Sequence, residues 1–358
     1  MAKTIGVMVV DDSAFMRRML TDILESSGDI KVIGTARNGL DALESLKFLK
    51  PDVITLDVEM PSMDGMSCLK HLQKITSSPV IMLSSHTKNG ERATIEALEA
   101  GAIDFITKPT GLFEISGEEK KKEIIEKIRI ASRVTKKRQA IDKVFSTASA
   151  ATAHQIEYQG LKCDKLKTII AIGTSTGGPR ALQEVVTSIP GDIPAALIIV
   201  QHMPPGFTKS LAERLNSLSA LNVKEGEDDE IIKPGYAYIA PGDYHMEVKS
   251  MPGDALSIKL TKDPPVSGHR PAVNVMMNSI AKTRFPSVIG VIMTGMGSDG
   301  KEGVVNLKES NNGIIISQDE NSCVVYGMPK AAVSTGVVDE VVPLKKIAEV
   351  IVKYMGVD

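Results

Sequence analysis

Short apolar runs rich in β-branched residues recur along this chain, with helical patterns between them. Residues 5–10, 31–34, 53–56, 80–83 and 104–107 read as buried strands. Met16, Met19, Leu20, Ile23 and Leu24 recur at helical spacing after the first, and residues 94–100 do so before the last. Alternation of this kind leaves few solutions. Parallel neighbours need a crossover, so the sheet acquires helices on both faces. Such folds place their sites just past the carboxyl ends of the strands. Asp11 and Asp12 follow the first strand, Asp57 ends the third, Ser84 the fourth and Lys108 the fifth. If the first and third strands are adjacent, the three carboxylates converge, and a cluster of carboxylates implies a hard cation such as Mg²⁺. A nucleophilic aspartate beside a hydroxyl and an ammonium is the minimum for forming and holding an aspartyl phosphate. One acidic strand end alone would mean less, because Asp is also a common helix N-cap.

These strand ends carry a resemblance. Val9-Val10-Asp11-Asp12-Ser13, Asp57-Val58-Glu59-Met60-Pro61-Ser62-Met63-Asp64-Gly65 and Thr107-Lys108-Pro109 resemble the signatures of the response-regulator receiver domain, a flavodoxin-like (βα)5 fold, here over residues 1–136. The resemblance implies that Asp57 accepts phosphate from a histidine kinase, with Ser84 and Lys108 binding the phosphoryl group. It also implies Mg²⁺ held by Asp12, Asp57 and the backbone carbonyl of Glu59, with Asp11 assisting through water. Phe105 stands where that family keeps an aromatic switch residue, a role compatible with ordinary core packing.

Beyond this half, Glu118, Glu119, Glu123 and Glu126 interleave with lysines over Ile124, Ile125, Ile128 and Val134. That is the pattern of a solvated helix face rather than a surface for nucleic acid or acidic lipid. Residues 144–159 are small and polar and read as a flexible connector within a linker over 137–166. The net charge of −2 on 358 residues gives no global pull toward nucleic acid or anionic lipid. Cys68, Cys163 and Cys323 lie far apart and form no C-x-x-C pair, which fits a reducing compartment and gives no zinc signal. No apolar run reaches membrane-spanning length, and residues 1–4 lead into a strand rather than a signal peptide. The expectation is a cytoplasmic monomer with no membrane insertion and no nucleic-acid partner.

The second half, 167–358, is again α/β. Its first strand ends in Gly173-Thr174-Ser175-Thr176-Gly177, and Gly178-Pro179 opens a helix. Such a turn exposes a serine Oγ beside the free N–H groups of a helix start, an arrangement suited to acyl transfer. It is equally compatible with a phosphate-cradling loop or a plain tight turn. A serine nucleophile needs a base. His202 follows the buried run 195–200, one helix after the serine's strand, whereas His245 and His269 lie in a less regular stretch. The orienting acid is best supplied by Asp299, in the glycine-rich loop after the run 288–293. Asp192 and Asp243 are weaker rivals, and a helix N-cap is the bland role for Asp299. Residues 236–239 and 245–248 read as an antiparallel excursion, with a hairpin across Pro241-Gly242-Asp243.

The chain order Ser, His, Asp matches neither the α/β-hydrolases nor the chymotrypsin-like or subtilisin-like proteases. Preceded by a receiver, the segments Ile172-Gly173-Thr174-Ser175-Thr176-Gly177-Gly178, Gln201-His202-Met203, Ile239-Ala240-Pro241-Gly242-Asp243, Pro264-Pro265-Val266, His269-Arg270-Pro271 and Thr294-Gly295-Met296-Gly297-Ser298-Asp299-Gly300 resemble the chemotaxis protein-glutamate methylesterase family. Thr174 departs from the Ala that many members carry. The resemblance implies a doubly wound esterase domain that hydrolyses glutamate γ-methyl esters on chemoreceptors, deamidates receptor glutamines and needs no cofactor of its own. It implies an unphosphorylated receiver that covers the esterase cleft. Thr176 and Met296 are candidates for the oxyanion. Arg270 is a candidate for an anionic receptor surface or for a structural ion pair. Two rivals stand beside this reading: a transcriptional response regulator and a non-enzymatic phospho-dependent scaffold. The first lacks a helix-turn-helix pattern and a basic stripe.

Overall fold

The computed structural model describes residues 4–108, 117–146, 165–253 and 255–355. The chain divides into two compact units, Met1–Thr147 and Ala148–Asp358. In the first, β1 (Ile5–Val10), β2 (Ile30–Ala36), β3 (Val53–Asp57), β4 (Val80–Ser84) and β5 (Asp104–Thr107) form one parallel sheet in the order β2-β1-β3-β4-β5. Every residue of β3, β4 and β5 is buried, so these strands are mostly apolar on both faces rather than alternating, with polar residues concentrated at their ends. The helices α1 (Ala14–Glu25), α2 (Gly39–Ser45), α3 (Gly65–Ile75) and α4 (Lys88–Glu99) each start on a side-chain cap, from Ser13, Asn38, Asp64 and Thr87. These caps stop each helix short of the strand end before it and leave a loop there for chemistry. Gly65 must be glycine, because a Cβ there would lie 2.1 Å from the Asp57 carbonyl oxygen.

α5 (Glu118–Ser146) corrects one expectation. Residues 137–146, read as the start of a linker, continue the helix. The stretch holds no Gly or Pro and is rich in good helix formers. The rest of the expected connector, 147–164, lies outside the described residues.

The second unit is built on seven parallel strands: β6 (Thr168–Thr174), β7 (Ala195–Gln201), β8 (Asn222–Glu225), β9 (Tyr236–Ile239), β12 (Val288–Ile292), β13 (Ile314–Gln318) and β14 (Glu340–Val342). Their order is β14-β13-β12-β6-β7-β9-β8. A separate antiparallel pair, β10 (His245–Ser250) and β11 (Leu256–Thr261), packs beside it. The expected hairpin between 236–239 and 245–248 is therefore wrong. β9 joins the main sheet parallel to β7, and the chain then leaves it at a turn closed by Tyr244 N–H to the Pro241 carbonyl at 3.2 Å. Three of the four β9 residues are fully buried, which requires a covered sheet rather than an open hairpin.

Helices α6 (Gly178–Val186), α7 (Phe207–Leu218), α8 (Val273–Thr283), α9 (Lys301–Asn311), α10 (Met328–Val333) and α11 (Leu344–Tyr354) complete the unit. α8 buries Met276, Met277 and Ile280 in the core shared with Met246 and Val248 of β10. It approaches the sheet so closely that a Cβ on Gly173 would lie 2.4 Å from Val273 Cγ1. The chain winds from β6 to β7 on one side and later returns to β12 on the other. The crevice of such a sheet opens at that reversal, over the carboxyl end of β6.

Candidate functional site

In the first unit, β1 and β3 are neighbours, and their ends bring the predicted acids together. One carboxylate oxygen from each of Asp11, Asp12 and Asp57 lies within 4.8 Å of the others. Asp11 and Asp57 are buried and Asp12 is exposed. Lys108 Nζ, at the end of β5, reaches Asp11 Oδ2 at 2.8 Å and Asp57 Oδ2 at 2.7 Å. One ammonium thus faces two buried carboxylates. Burial pushes the Asp57 carboxyl up to about 6, against the pull of Lys108, and the Asp11 charge adds to the rise. A set of hard oxygen donors short of positive charge, open on the Asp12 side, fits a divalent cation. Glu59 follows on the same loop and donates its N–H to Asp57 Oδ1 at 3.3 Å.

Ser84 stands at the expected strand end, but its hydroxyl is engaged with α4. It accepts from Thr94 Oγ1 at 2.7 Å and donates to the Gly90 carbonyl at 3.2 Å. Phe105 is buried on β5, and Lys127 of α5 donates to its carbonyl at 2.6 Å, with Nζ 5.2 Å from the ring centroid. Core packing is its role in this arrangement.

In the second unit, the sheet brings the predicted residues to neighbouring strand ends. Thr174 pairs with Gln201 across β6 and β7, so Ser175 and His202 each follow a paired strand end. His202 N–H donates to the Thr174 carbonyl at 3.2 Å. On the other side, Ser175 N–H donates to the Thr294 carbonyl past β12, at 3.0 Å. The serine therefore sits between the strand that leads to His202 and the strand that leads to Asp299. His202 Nε2 meets Asp299 Oδ2 at 2.8 Å. An ionised carboxylate can only accept, so Nε2 carries the proton. In the neutral ring the lone pair is then on Nδ1, which is buried and has no hydrogen-bond partner among the described residues.

Asp299 is 3% exposed and fully engaged. It also accepts from the N–H groups of Val273 at 2.6 Å, Asn274 at 2.9 Å and Gly300 at 2.9 Å. Burial opposes its ionisation. The bond and charge of His202 and the backbone donors of Asn274 and Val273 outweigh burial and hold the carboxyl below its usual range. Asp243, the weaker rival, sits elsewhere as the partner of Arg270.

Two polar residues went unread in the sequence. Gln201, 2% exposed, donates its amide to the Ser175 carbonyl at 3.0 Å and to the His202 carbonyl at 3.2 Å, tying the two turns together. Thr294 Oγ1 donates to the Thr176 carbonyl at 2.9 Å and accepts from Val325 N–H at 3.0 Å. Both stand in segments that carry the family resemblance, Gln201 directly before His202, but nothing there assigns either a role. His269 was weighed as a rival base. Its ring instead lies flat on that of His202, with centroids 3.9 Å apart and planes 10° from parallel. His245 is buried, and its Nε2 meets the Pro264 carbonyl at 3.2 Å.

Thr176 and Met296 are half-buried on the loops that flank Ser175. Gly295 lies so near that a Cβ there would be 2.9 Å from Ser175 Cβ. Arg270 donates to Asp243 Oδ1 at 2.5 and 3.2 Å and to the carbonyls of Lys262 and Asp263 at 3.0 and 2.9 Å. Of its two predicted roles, this geometry is that of the structural ion pair.

A family model described as CheB methylesterase matches residues 170–351, and one for the response regulator receiver domain matches residues 7–117. The chain is 50% identical over 353 residues to the protein-glutamate methylesterase/protein-glutamine glutaminase of Halalkalibacterium halodurans, covering 99% of each. It is 45% identical to the protein of the same name from Pyrococcus horikoshii, covering 100% of this chain and 95% of that one. Among solved structures, the CheB methylesterase catalytic domain of Thermotoga maritima superposes with a TM-score of 0.50 at 45% identity, covering 53% of this chain and 97% of that chain. With the methylesterase model matched over residues 170–351 and relatives of 45–50% identity spanning nearly the whole chain, this chain belongs to the CheB methylesterases.

Proposed function

We propose that this chain is a phosphorylation-regulated protein-glutamate methylesterase that also deamidates receptor glutamines. The observation that carries the reading is the placement of Ser175 between the strand ends of His202 and Asp299, with the His202–Asp299 bond at 2.8 Å. Ser175 Oγ attacks the γ-carbonyl of a receptor glutamate methyl ester, and His202 Nδ1 takes its proton. Asp299 fixes the tautomer and stabilises the imidazolium. The Ser175 N–H is already bonded to the Thr294 carbonyl. Oxyanion stabilisation therefore falls to the Thr176 N–H and the Met296 loop. His202 returns the proton as methanol leaves, or as ammonia leaves from a glutamine. It then activates water to release glutamate.

In the receiver, Asp57 is the phosphoacceptor and a cytoplasmic histidine kinase the donor. Asp12, Asp57 and the Glu59 carbonyl would hold Mg²⁺, with Asp11 assisting. When bound, the cation offsets the negative charge of the phosphoryl oxygens and of the acid cluster. Lys108 supplies the second positive charge. For Ser84 to contact the phosphoryl group, its hydroxyl must leave the Gly90 carbonyl, so α4 is the element whose contacts change.

The test is methanol release from methylated chemoreceptor membranes, measured with and without acetyl phosphate and Mg²⁺. Release that depends on Ser175 and rises with the phosphodonor is expected. Release untouched by Ser175→Ala would overturn the reading, and binding without turnover would return the scaffold alternative.

A further inference from the structure

The loop from Lys262 to Pro271 is held unusually firmly for an excursion from the sheet. His245 grips it through the Pro264 carbonyl at 3.2 Å. Arg270 ties its two ends, through the carbonyls of Lys262 and Asp263 and through Asp243. Between these anchors, Val266 and His269 exchange two backbone hydrogen bonds at 3.0 Å. The two residues inside that turn, Ser267 and Gly268, have φ of 53° and 80°. Two left-handed residues in succession make the tight two-residue reversal of a hairpin. The residue this construction delivers is His269, flat against His202 at 3.9 Å.

We infer that His269 is a positioning residue for the reaction, set on the face of the base to hold and stabilise its protonated form. The inference rests on His202 acting as the base. Asp299 fixes one edge of the imidazole but leaves rotation about that hydrogen bond open, and a stacked ring closes that freedom. An aromatic face also interacts favourably with a cation above it, so the stack stabilises imidazolium more than imidazole. Arg270 serves the same end at one remove, as the staple of the loop.

The consequence lies in the leaving group. When Ser175 Oγ forms its bond to the side-chain carbonyl carbon, the serine proton moves to His202. The C–N bond of a glutamine breaks only as that proton passes from His202 to nitrogen, releasing ammonia. The C–O bond of a methyl ester makes the same demand less strictly, because methoxide is a far better leaving group than amide ion. The P–F bond of a fluorophosphonate makes none, since fluoride departs unprotonated. Dependence on a well-held imidazolium should therefore rise from fluorophosphonate to ester to amide, and with it the dependence on His269.

The experiment uses the full chain, activated with acetyl phosphate and Mg²⁺, and three reactions: labelling by a fluorophosphonate, methanol release from methylated receptor, and ammonia release from a receptor with glutamine at the modified position. His269→Ala should lower kcat for methanol release about 3- to 10-fold with little change in KM. Ammonia release should fall by a larger factor and labelling by a smaller one. His269→Phe, which keeps a π face, should recover most of each loss. Thermal melting checks the fold, and His269→Leu replaces the alanine variant if that one is unfolded. Equal losses in all three reactions, no loss in any, or a phenylalanine variant as poor as alanine would overturn the inference. His202→Ala is measured alongside. If it stays active, the triad itself is misassigned and the inference falls with it, separately from any result at position 269.

Discussion

The two sites share an architecture and differ in how complete they are. Both sit at the carboxyl ends of all-parallel sheets, on residues that end neighbouring strands. In the first unit, Asp11 and Asp57 are buried with a single lysine between them, and the Asp57 carboxyl is driven up to about 6. In the second, the buried Asp299 meets four donors, and its carboxyl is held low. The first site is short of positive charge, so its energy changes steeply when a cation or a phosphoryl group arrives. In the second, four donors satisfy Asp299 and fix it in advance of any chemistry. A switch needs the former condition, and an active site needs the latter.

The sharpest way to break this comparison is at the nucleophile. Ser175→Ala should abolish methanol release with the fold intact, and His202→Ala should cost roughly 10³-fold or more if the residues act as a unit. An active His202→Ala alongside an inactive His269→Ala would exchange the two histidines' roles. Asp299→Asn should cost on the order of 10²–10⁴ in kcat, by mis-setting the tautomer that now leaves Nδ1 as the base. Full activity in that variant, measured on the same receptor preparation, would reduce Asp299 to its backbone contacts.

The regulatory half predicts smaller effects. Asp57→Asn should leave basal methanol release unchanged and remove all stimulation by acetyl phosphate with Mg²⁺. A fragment from residue 167 onward should exceed the basal rate of the full chain. A fragment no faster would remove simple occlusion as the mechanism.

Stability offers the gentlest test. Asp57 keeps its proton to higher pH when folded than when unfolded, so folding takes up protons between about pH 4 and 6. In chelator, the receiver should therefore gain stability as pH falls from 7 to 5. Asp57→Asn should flatten that gain and raise the melting temperature at pH 7. Asp299 has the opposite sign. Its contribution is present above the unfolded value of 3.8 and is lost only as pH falls below it. Calorimetry that found both units responding alike between pH 7 and 5 would contradict the contrast drawn between the sites.

Much of this was legible in the sequence because strand order converts strand ends into neighbours. Asp11, Asp57 and Lys108 follow from that rule, as do Ser175, His202 and Asp299. The rule fails where contacts come from irregular chain. Nothing in Val266-Ser267-Gly268-His269 announces that the turn delivers an imidazole onto another imidazole, since no periodicity governs such a loop. Thr94 holding Ser84 depends on the rotation of α4 about its axis, which an apolar pattern defines only loosely. The hairpin expectation at 236–248 failed because two short runs beside a turn look alike whether they pair with each other or with distant strands. The burial of β9 decides between these, and burial is a tertiary property.

The carboxylate of Asp299 has a further consequence. It receives the N–H groups of Val273 and Asn274 where α8 begins, and Asn274 Oδ1 in turn receives those of Gly300 and Gly303 where α9 begins. One side chain therefore binds His202 and seats two helices of the core. Under the proposed function, selection on function and selection on folding act on it together, whereas the side chain of Ser175, on a half-buried turn, answers chiefly to function. A descendant that kept the fold but gave up hydrolysis would be expected to lose Ser175 early and Asp299 late. An intact acid beside a replaced serine would be the mark of such a lineage.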